Sequence, residues 1–316
     1  MLEVKNLKTV FSVESGTLTA VDGISLTVPP GKIVGIVGES GSGKSITALS
    51  ILDLLPANGK ITQGEVLWNG ADLCQMPAKE KRDIRGSQIG LILQNPQASL
   101  NPVFTIGSQM IETIQHHHKL PKNQAKEMAI DLLKKVAIPD AERRLDHYPH
   151  QFSMGMCQRI MIALTICMQP KLLIADEPTA SLDVTIQSQV LHLLDRIRHD
   201  YSMSIILISH DLGLISQYCD DLYIMYLGKI VEHGSPRTIF EKPLHPYTQA
   251  LVASIPTFHH KTELPSAFSM TDIPSPLAIP SGCRFHPRCV HCMDICTQKV
   301  PNLEPHQDRE VACFLY

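Results

Sequence analysis

The sequence has no block of basic residues, no apolar run of membrane-spanning length and no internal repeat. Lysine and arginine total 28 against 31 aspartates and glutamates, a formal charge of −3, so nothing marks a nucleic-acid-binding face. The longest apolar stretches, such as Ile205-Ile206-Leu207-Ile208, are strand-sized, far short of the roughly 20 residues that a spanning helix needs. The opening residues, MLEVKNLKTV, lack the apolar core of a secretion signal. The chain therefore reads as one that stays in the cytoplasm and meets a membrane only through partners. Cysteine, by contrast, is plentiful. Nine cysteines in that compartment argue for metal binding or inert burial rather than disulfides.

What is present begins with Gly38-Glu39-Ser40-Gly41-Ser42-Gly43-Lys44-Ser45, which fits G-x-x-x-x-G-K-[ST]. Glycines at those positions let backbone N–H groups close around phosphate oxygens. Ile33-Val34-Gly35-Ile36-Val37 before the loop reads as a buried strand. Ser45 to Leu55 after it reads as an apolar-faced helix stopped at Pro56. Strand, glycine loop and helix together aim a helix N-terminus at an anion, so the spacing predicts nucleotide binding.

The 316 residues leave room for one large domain with an appendage, or for two domains. Leu2-Glu3-Val4, Thr17 to Val28 and Gly64 to Gly70 read as short strands, and the strands at 171–175 and 204–208 resume a mixed α/β core. Between them, about 98–165 is helix-rich and reads as an inserted helical lobe. The expected domains are 1–254, a nucleotide-binding unit, and 255–316, an extension. Pro256, Pro265, Pro274, Pro276 and Pro280 mark a linker where that extension begins.

Further polar residues sit at strand ends. Leu172-Leu173-Ile174-Ala175 runs into Asp176 and Glu177, where one carboxylate can hold Mg²⁺ and its neighbour can polarise water. Gln94 follows the strand Ile89–Leu93, Asp183 lies in Ala180-Ser181-Leu182-Asp183, and His210 ends the strand Ile205–Ile208. Singly, each is an ordinary loop residue. In order, with Phe152-Ser153-Met154-Gly155-Met156-Cys157-Gln158-Arg159 between them, they resemble the nucleotide-binding subunit of an ABC transporter over residues 1 to about 235. Gln94-Asn95-Pro96-Gln97-Ala98-Ser99-Leu100-Asn101-Pro102, His245-Pro246-Tyr247-Thr248-Gln249-Ala250-Leu251 and the tail Gly282-Cys283-Arg284-Phe285-His286-Pro287-Arg288-Cys289 are similar to the oligopeptide/dipeptide/nickel permease ATPases.

The resemblance implies a P-loop NTPase core with an antiparallel β subdomain, an inserted helical subdomain and a Pro/Cys-rich C-terminal extension. It implies ATP and Mg²⁺ as ligands, and hydrolysis that powers import of dipeptides or oligopeptides. Gly38 to Ser45 would hold the phosphates, with Lys44 on the β- and γ-phosphates. Ser45, Asp176 and Gln94 would serve Mg²⁺, Glu177 would be the general base and His210 would sense the γ-phosphate. Phe11 would stack on adenine, for which a π-face suffices. Two such subunits would close head to tail, Ser153, Gly155 and Asp183 of one meeting the ATP of the other. The implied partners are two membrane permease subunits contacted around Gln97 to Ser108, a homologous ATPase subunit and an extracytoplasmic solute-binding protein. The implied location is peripheral, at the cytoplasmic face of the inner membrane. The rival class is a stand-alone repair or translation ATPase, or a degenerate regulatory half. Against the first, the chain has neither a coiled-coil insertion nor a second ATP module; Met154 keeps the second reading open.

Two features fall outside that pattern. Met154 stands at the first glycine of the family's L-S-G-G-Q-type signature, where a bare backbone can approach ATP closely, and Cys157 replaces a basic residue. Either the ATP site completed by this signature is weak or the substitution is tolerated. The tail cysteines are Cys283, Cys289, Cys292, Cys296 and Cys313. Cys289 and Cys292 form a C-x-x-C knuckle suited to zinc. The resemblance instead points to Cys283, Cys289, Cys296 and Cys313 as ligands of a 4Fe–4S cluster, and reduced thiols packed without metal are the third reading. Cys74, Cys157, Cys167 and Cys219 read as plain buried residues. His116-His117-His118 and His259-His260 read as non-metal, because neighbours on a helix point in different directions.

Overall fold

The computed structural model describes residues 1–255 and 274–316, which divide into two compact units, Met1–Met76 with Leu207–Tyr316, and Pro77–Ile206. Pro256, Pro265 and His259-His260 lie outside the described residues.

The first unit opens on β1 (Leu2–Val13), β2 (Gly16–Val28), β3 (Ile33–Val37), α1 (Lys44–Ile51), β4 (Gly59–Trp68) and β5 (Ala71–Asp72). One antiparallel sheet has the order β2-β1-β4-β5. The sequence pattern showed only fragments of β1 because register shifts between Val4 and Leu7 and between Thr9 and Val10 interrupt its alternation. β3 is buried at every position, as its unbroken apolar run requires for a parallel strand. The helix after the loop ends at Ile51, four residues before the expected Leu55. Asp53 turns left-handed (φ 51°), and the Leu54 N–H donates to Leu49 O while the Asp53 N–H donates to Ser50 O, closing the last turn before Pro56 is reached.

The second unit contains α2 (Ala78–Ile84), β6 (Ile89–Ile92), α3 (Pro96–Ser99), α4 (Ile106–His118), α5 (Lys122–Lys135), α6 (Ala141–Arg144), α7 (Met154–Ile166), β7 (Leu172–Asp176) and α8 (Val184–Tyr201). β8 (Ser204–Ser209) runs through the boundary. β6 and β7 pair in parallel, and every residue of β7 is buried. Helices α3 to α7 occupy the stretch that lacks strand pattern.

The chain completes the first unit with α9 (Leu212–Ile215), β9 (Asp221–Tyr226), β10 (Lys229–Gly234), α10 (Pro236–Glu241), α11 (Pro246–Ala253), α12 (Asp294–Gln298), β11 (Glu304–His306) and β12 (Arg309–Val311). Within this unit the strands run β11-β12-β10-β9-β3, with β9 parallel to β3 and the others antiparallel. Two charged groups fasten the tail strands. His233 of β10 bridges Asp221 at 2.7 Å and Glu310 at 2.8 Å. Burial works against protonation of its imidazole, but the two carboxylates outweigh it and hold the ring above its ordinary pKa. Arg309 of β12 lies 3.5 Å from the fully buried Glu232 of β10. Among the described residues, no helix is long and apolar enough to cross a membrane.

Candidate nucleotide site

The glycine loop joins β3 to α1 within the first unit. Gly38 approaches β9 so closely that a Cβ there would fall 2.0 Å from the Met225 carbonyl oxygen, so no other residue fits. Ser40 and Gly41 are exposed at the loop's tip, while Ser42 and Lys44 are buried. The Lys44 ammonium folds back over the loop and donates to Gly38 O at 2.7 Å and to Glu39 O at 2.9 Å. Gly43, in the left-handed region at φ 103°, starts α1, and Ser45 occupies its first turn. Glu39 differs from its neighbours. Its N–H donates to the Tyr247 hydroxyl at 2.8 Å, so this amide is engaged by α11.

In the second unit, Asp176 ends β7 with only 6% of its surface exposed, and Glu177 follows it, half-buried. Glu177 adopts φ +44°, a left-handed conformation that a non-glycine residue occupies at a cost of about 1–3 kcal/mol. Gln94, exposed just beyond β6, donates from Nε2 to Glu177 Oε2 at 3.0 Å. Two residues 83 apart in sequence thus meet because β6 and β7 are paired. Next to a buried carboxylate, this arrangement suits a base oriented by an amide.

The signature segment also lies in the second unit. Ser153 caps α7, accepting from the Met156 N–H at 3.3 Å, and Asp183 caps α8, accepting from the Ile186 N–H at 3.1 Å. Ser153, Met154, Gly155, Ser181 and Asp183 line one cleft of about 490 Å³. Gly155 packs against α8, where a Cβ would meet Ile186 at 2.9 Å. Met154 is half-buried in the cleft wall. Cys157 is fully buried, and burial pushes its thiol up.

Two further expected residues, His210 and Phe11, belong to the first unit. His210 is exposed directly after β8. Phe11 is 8% exposed, with its ring closed against the Gly59 backbone on β4, so a base would have to use the face turned away from Gly59.

Cys283, Cys289, Cys296 and Cys313 line one cavity of about 10 Å³ in the first unit, together with His245 and His286. Burial pushes Cys283 up to about 11 and raises Cys289 and Cys313, with the neighbouring sulfurs adding to each shift. Cys292 is exposed and outside that lining, which removes the C-x-x-C zinc knuckle. Among the described residues no group of three histidine, cysteine or acidic side chains is placed to hold a metal ion. Cys157 and Cys167 are buried, whereas Cys74 and Cys219 keep some exposure. His118 Nε2 lies 2.9 Å from the Cys167 carbonyl oxygen.

Sequence reasoning assigned no role to Tyr247 or Arg288, both of which touch Glu39 of the loop. They lie 208 and 249 residues away from it, and no local spacing signals such a contact.

Residues 21–180 match the family described as ABC transporter, and residues 231–296 match the oligopeptide/dipeptide transporter C-terminal region. The oligopeptide transport ATP-binding protein AppD of Bacillus subtilis is 44% identical, covering 100% of this chain and 97% of its own length. The dipeptide transport ATP-binding protein DppD of Haemophilus influenzae is 43% identical over 99% of this chain and 94% of its own. The oligopeptide transport ATP-binding protein OppD of Escherichia coli is 41% identical over 99% and 93%. Among solved structures, cbiO1 from Clostridium perfringens, part of an ABC transporter complex, aligns with a TM-score of 0.66 at 28% identity over 76% of this chain and 90% of that one. A dimeric ATP-binding cassette bound to ADP and Pi gives 0.67 at 24% identity over 75% and 99%, a likeness of fold.

Proposed function

The chain belongs to the ABC transporter family and carries that family's oligopeptide/dipeptide C-terminal region, and from that premise we propose that it is the ATP-hydrolysing subunit of a peptide importer. One observation carries the proposal: the ATP-binding region and the peptide-transport region lie in a single chain that aligns end to end with peptide-transport ATP-binding proteins. Its partners are two membrane permease subunits, a homologous ATPase and an extracytoplasmic solute-binding protein. It works peripherally, at the cytoplasmic face of the inner membrane, contacting the permease around Gln97 to Ser108. The proposed domains are a nucleotide-binding domain, 1–254, with a helical lobe at about 98–165, and an extension, 255–316. The test is ATP turnover of the purified chain reconstituted with those partners. Stimulation by peptide-loaded binding protein supports the reading; turnover that ignores peptide overturns it.

Within the loop, Gly38 and Ser40 to Lys44 bind phosphate and Glu39 holds the loop's shape. Lys44 leaves the Gly38 and Glu39 carbonyls when it meets the stronger acceptors of a phosphate. Ser45, Asp176 and Gln94 supply the hard oxygens that suit Mg²⁺, which when bound neutralises phosphate charge. Glu177 takes the proton of attacking water while Gln94 holds its carboxylate in place. His210 senses the γ-phosphate and Phe11 meets adenine. Ser153, Gly155 and Asp183 complete the ATP site of the facing subunit, and binding energy that differs between open and closed pairs performs the transport work.

Met154 puts a long side chain into that signature cleft. Met154→Gly therefore raises turnover of the assembled complex by at least about tenfold, since small misplacements at a reacting centre cost that much or more. Turnover unchanged by the substitution means that the methionine is tolerated.

The extension carries the second ligand proposal. The family resemblance assigns Cys283, Cys289, Cys296 and Cys313 as the four thiolates that a 4Fe–4S cluster needs. The cavity they line is only about 10 Å³ and, among the described residues, they are not placed to hold a metal ion, so a cluster would require these side chains to move apart. Anaerobically purified protein is expected to be coloured and to contain iron and sulfide. A colourless, iron-free preparation leaves the four as packed thiols.

A further inference from the structure

The phosphate loop is held from outside by the C-terminal segment. Arg288 donates from Nη1 to Glu39 Oε2 at 2.7 Å and from Nη2 to Glu39 Oε1 at 3.1 Å, a two-pronged pair. The Arg288 side chain is 16% exposed and that of Glu39 28%, so water screens the pair only in part. The guanidinium lies 5.8 Å from the Tyr226 ring centroid and 5.7 Å from that of Phe285, which fix its plane. Tyr247 holds the other side of the same residue, its hydroxyl accepting the Glu39 N–H. Tyr226, Tyr247 and Phe285 pack on one another with centroids 4.6 to 5.5 Å apart, so the two supports share one rigid base.

His245 explains how Tyr247 is aimed. It caps α11 by accepting the Tyr247 N–H on Nδ1 at 3.0 Å, and complete burial pushes the imidazole down to about 3, keeping it a neutral acceptor. The loop's far side is tied as well. Ser42 O accepts the Gly228 N–H at 2.7 Å, and Arg284 bonds to the adjoining Leu227 carbonyl and to Asp22.

We infer that Arg288 and Tyr247 are positioning residues for the phosphate loop, so that the C-terminal segment sets how tightly this chain holds MgATP. The inference rests on the reading of Gly38 to Ser45 as the nucleotide loop. A segment rich in glycine and serine has many conformers, and binding must select one of them. The apparent dissociation constant is the intrinsic one divided by the fraction of time the loop is competent, so whatever raises that fraction beforehand lowers the constant. Neither side chain needs to touch the nucleotide for this to work.

The experiment titrates the purified full-length chain with a fluorescent ATP analogue and Mg²⁺, and measures turnover of the assembled complex. Arg288→Ala is expected to weaken binding about tenfold and to raise KM in step, with kcat at saturating ATP within about twofold of wild type. Arg288→Lys restores part of the affinity because it keeps the charge but loses the fork. Tyr247→Phe, which removes one hydroxyl and keeps the packing, weakens binding about threefold and serves if Arg288→Ala does not fold. Binding by folded Arg288→Ala and Tyr247→Phe equal to wild type overturns the inference. Lys44→Ala separates the two levels of the argument. If it abolishes binding while Arg288→Ala does not weaken it, the brace alone fails; if it binds as wild type, the loop reading fails.

Discussion

Glu177→Gln is expected to lower ATP turnover of the assembled complex by at least about 10²–10³-fold while nucleotide still binds. The substitution keeps the length and planar end of the side chain, and a carbonyl oxygen that can still accept from Gln94 Nε2. What it removes is the ability to take a proton from water. Glu177 also sits at φ +44°, directly after the buried end of β7, so the backbone sets where its side chain starts and Gln94 then holds the carboxylate. Because the change is nearly isosteric, a collapse in turnover with retained binding separates proton transfer from loss of fold. The paired measurement is phosphate release alongside retention of labelled ATP. Unchanged turnover would assign hydrolysis to the partner's site and leave this chain with nucleotide binding.

The second large effect is on stability. Glu232→Ala is expected to destabilise the folded chain by about 3–5 kcal/mol, the cost of breaking a buried ion pair from one side. Glu232 is fully buried, and its two carboxylate oxygens accept the Leu244 and His245 N–H groups, each at 2.9 Å. Removing it strands those two donors and takes from the Arg309 guanidinium its buried counter-charge, leaving it, among the described residues, the Thr238 and Lys242 carbonyls and the more exposed Asp308. Glu232→Gln costs less because one carbonyl oxygen survives. Urea titration followed by circular dichroism reads the difference. The loss also reaches the phosphate loop, since His245 begins the helix that carries Tyr247 to Glu39. Weaker ATP binding should therefore accompany weaker folding.

Much of the candidate site was legible in the chain before folding. The loop at 38–45, the strand that delivers Asp176 and Glu177, the glutamine after β6 and the signature at the start of α7 each depend on a strand end or a helix start. Those are fixed by residues within a turn or two, so apolar periodicity and spacing disclose them. Helix ends were less legible. Pro56 looked like the stop for α1, but the left-handed turn at Asp53 closes that helix first, and a turn of that kind has no obligatory residue. β1 was seen only in its first three residues because its bulges break the period of two, whereas β2 was read almost whole.

The sequence by itself determined which chemistry the chain carries: a phosphate loop, an acidic strand end, a signature with methionine in place of glycine, and a cysteine-rich tail. Tertiary structure alone decided which of those groups act together. It gathers Cys283, Cys289, Cys296 and Cys313 around one cavity and leaves Cys292 outside, though Cys292 is nearest in sequence to Cys289. It turns Phe11 into a mostly buried ring on Gly59, and it brings Arg288 across 249 residues to Glu39. The reason is one of range. A motif is set by the local backbone that its own residues dictate, whereas a contact between distant segments depends on how strands pair and faces bury, which no short spacing encodes.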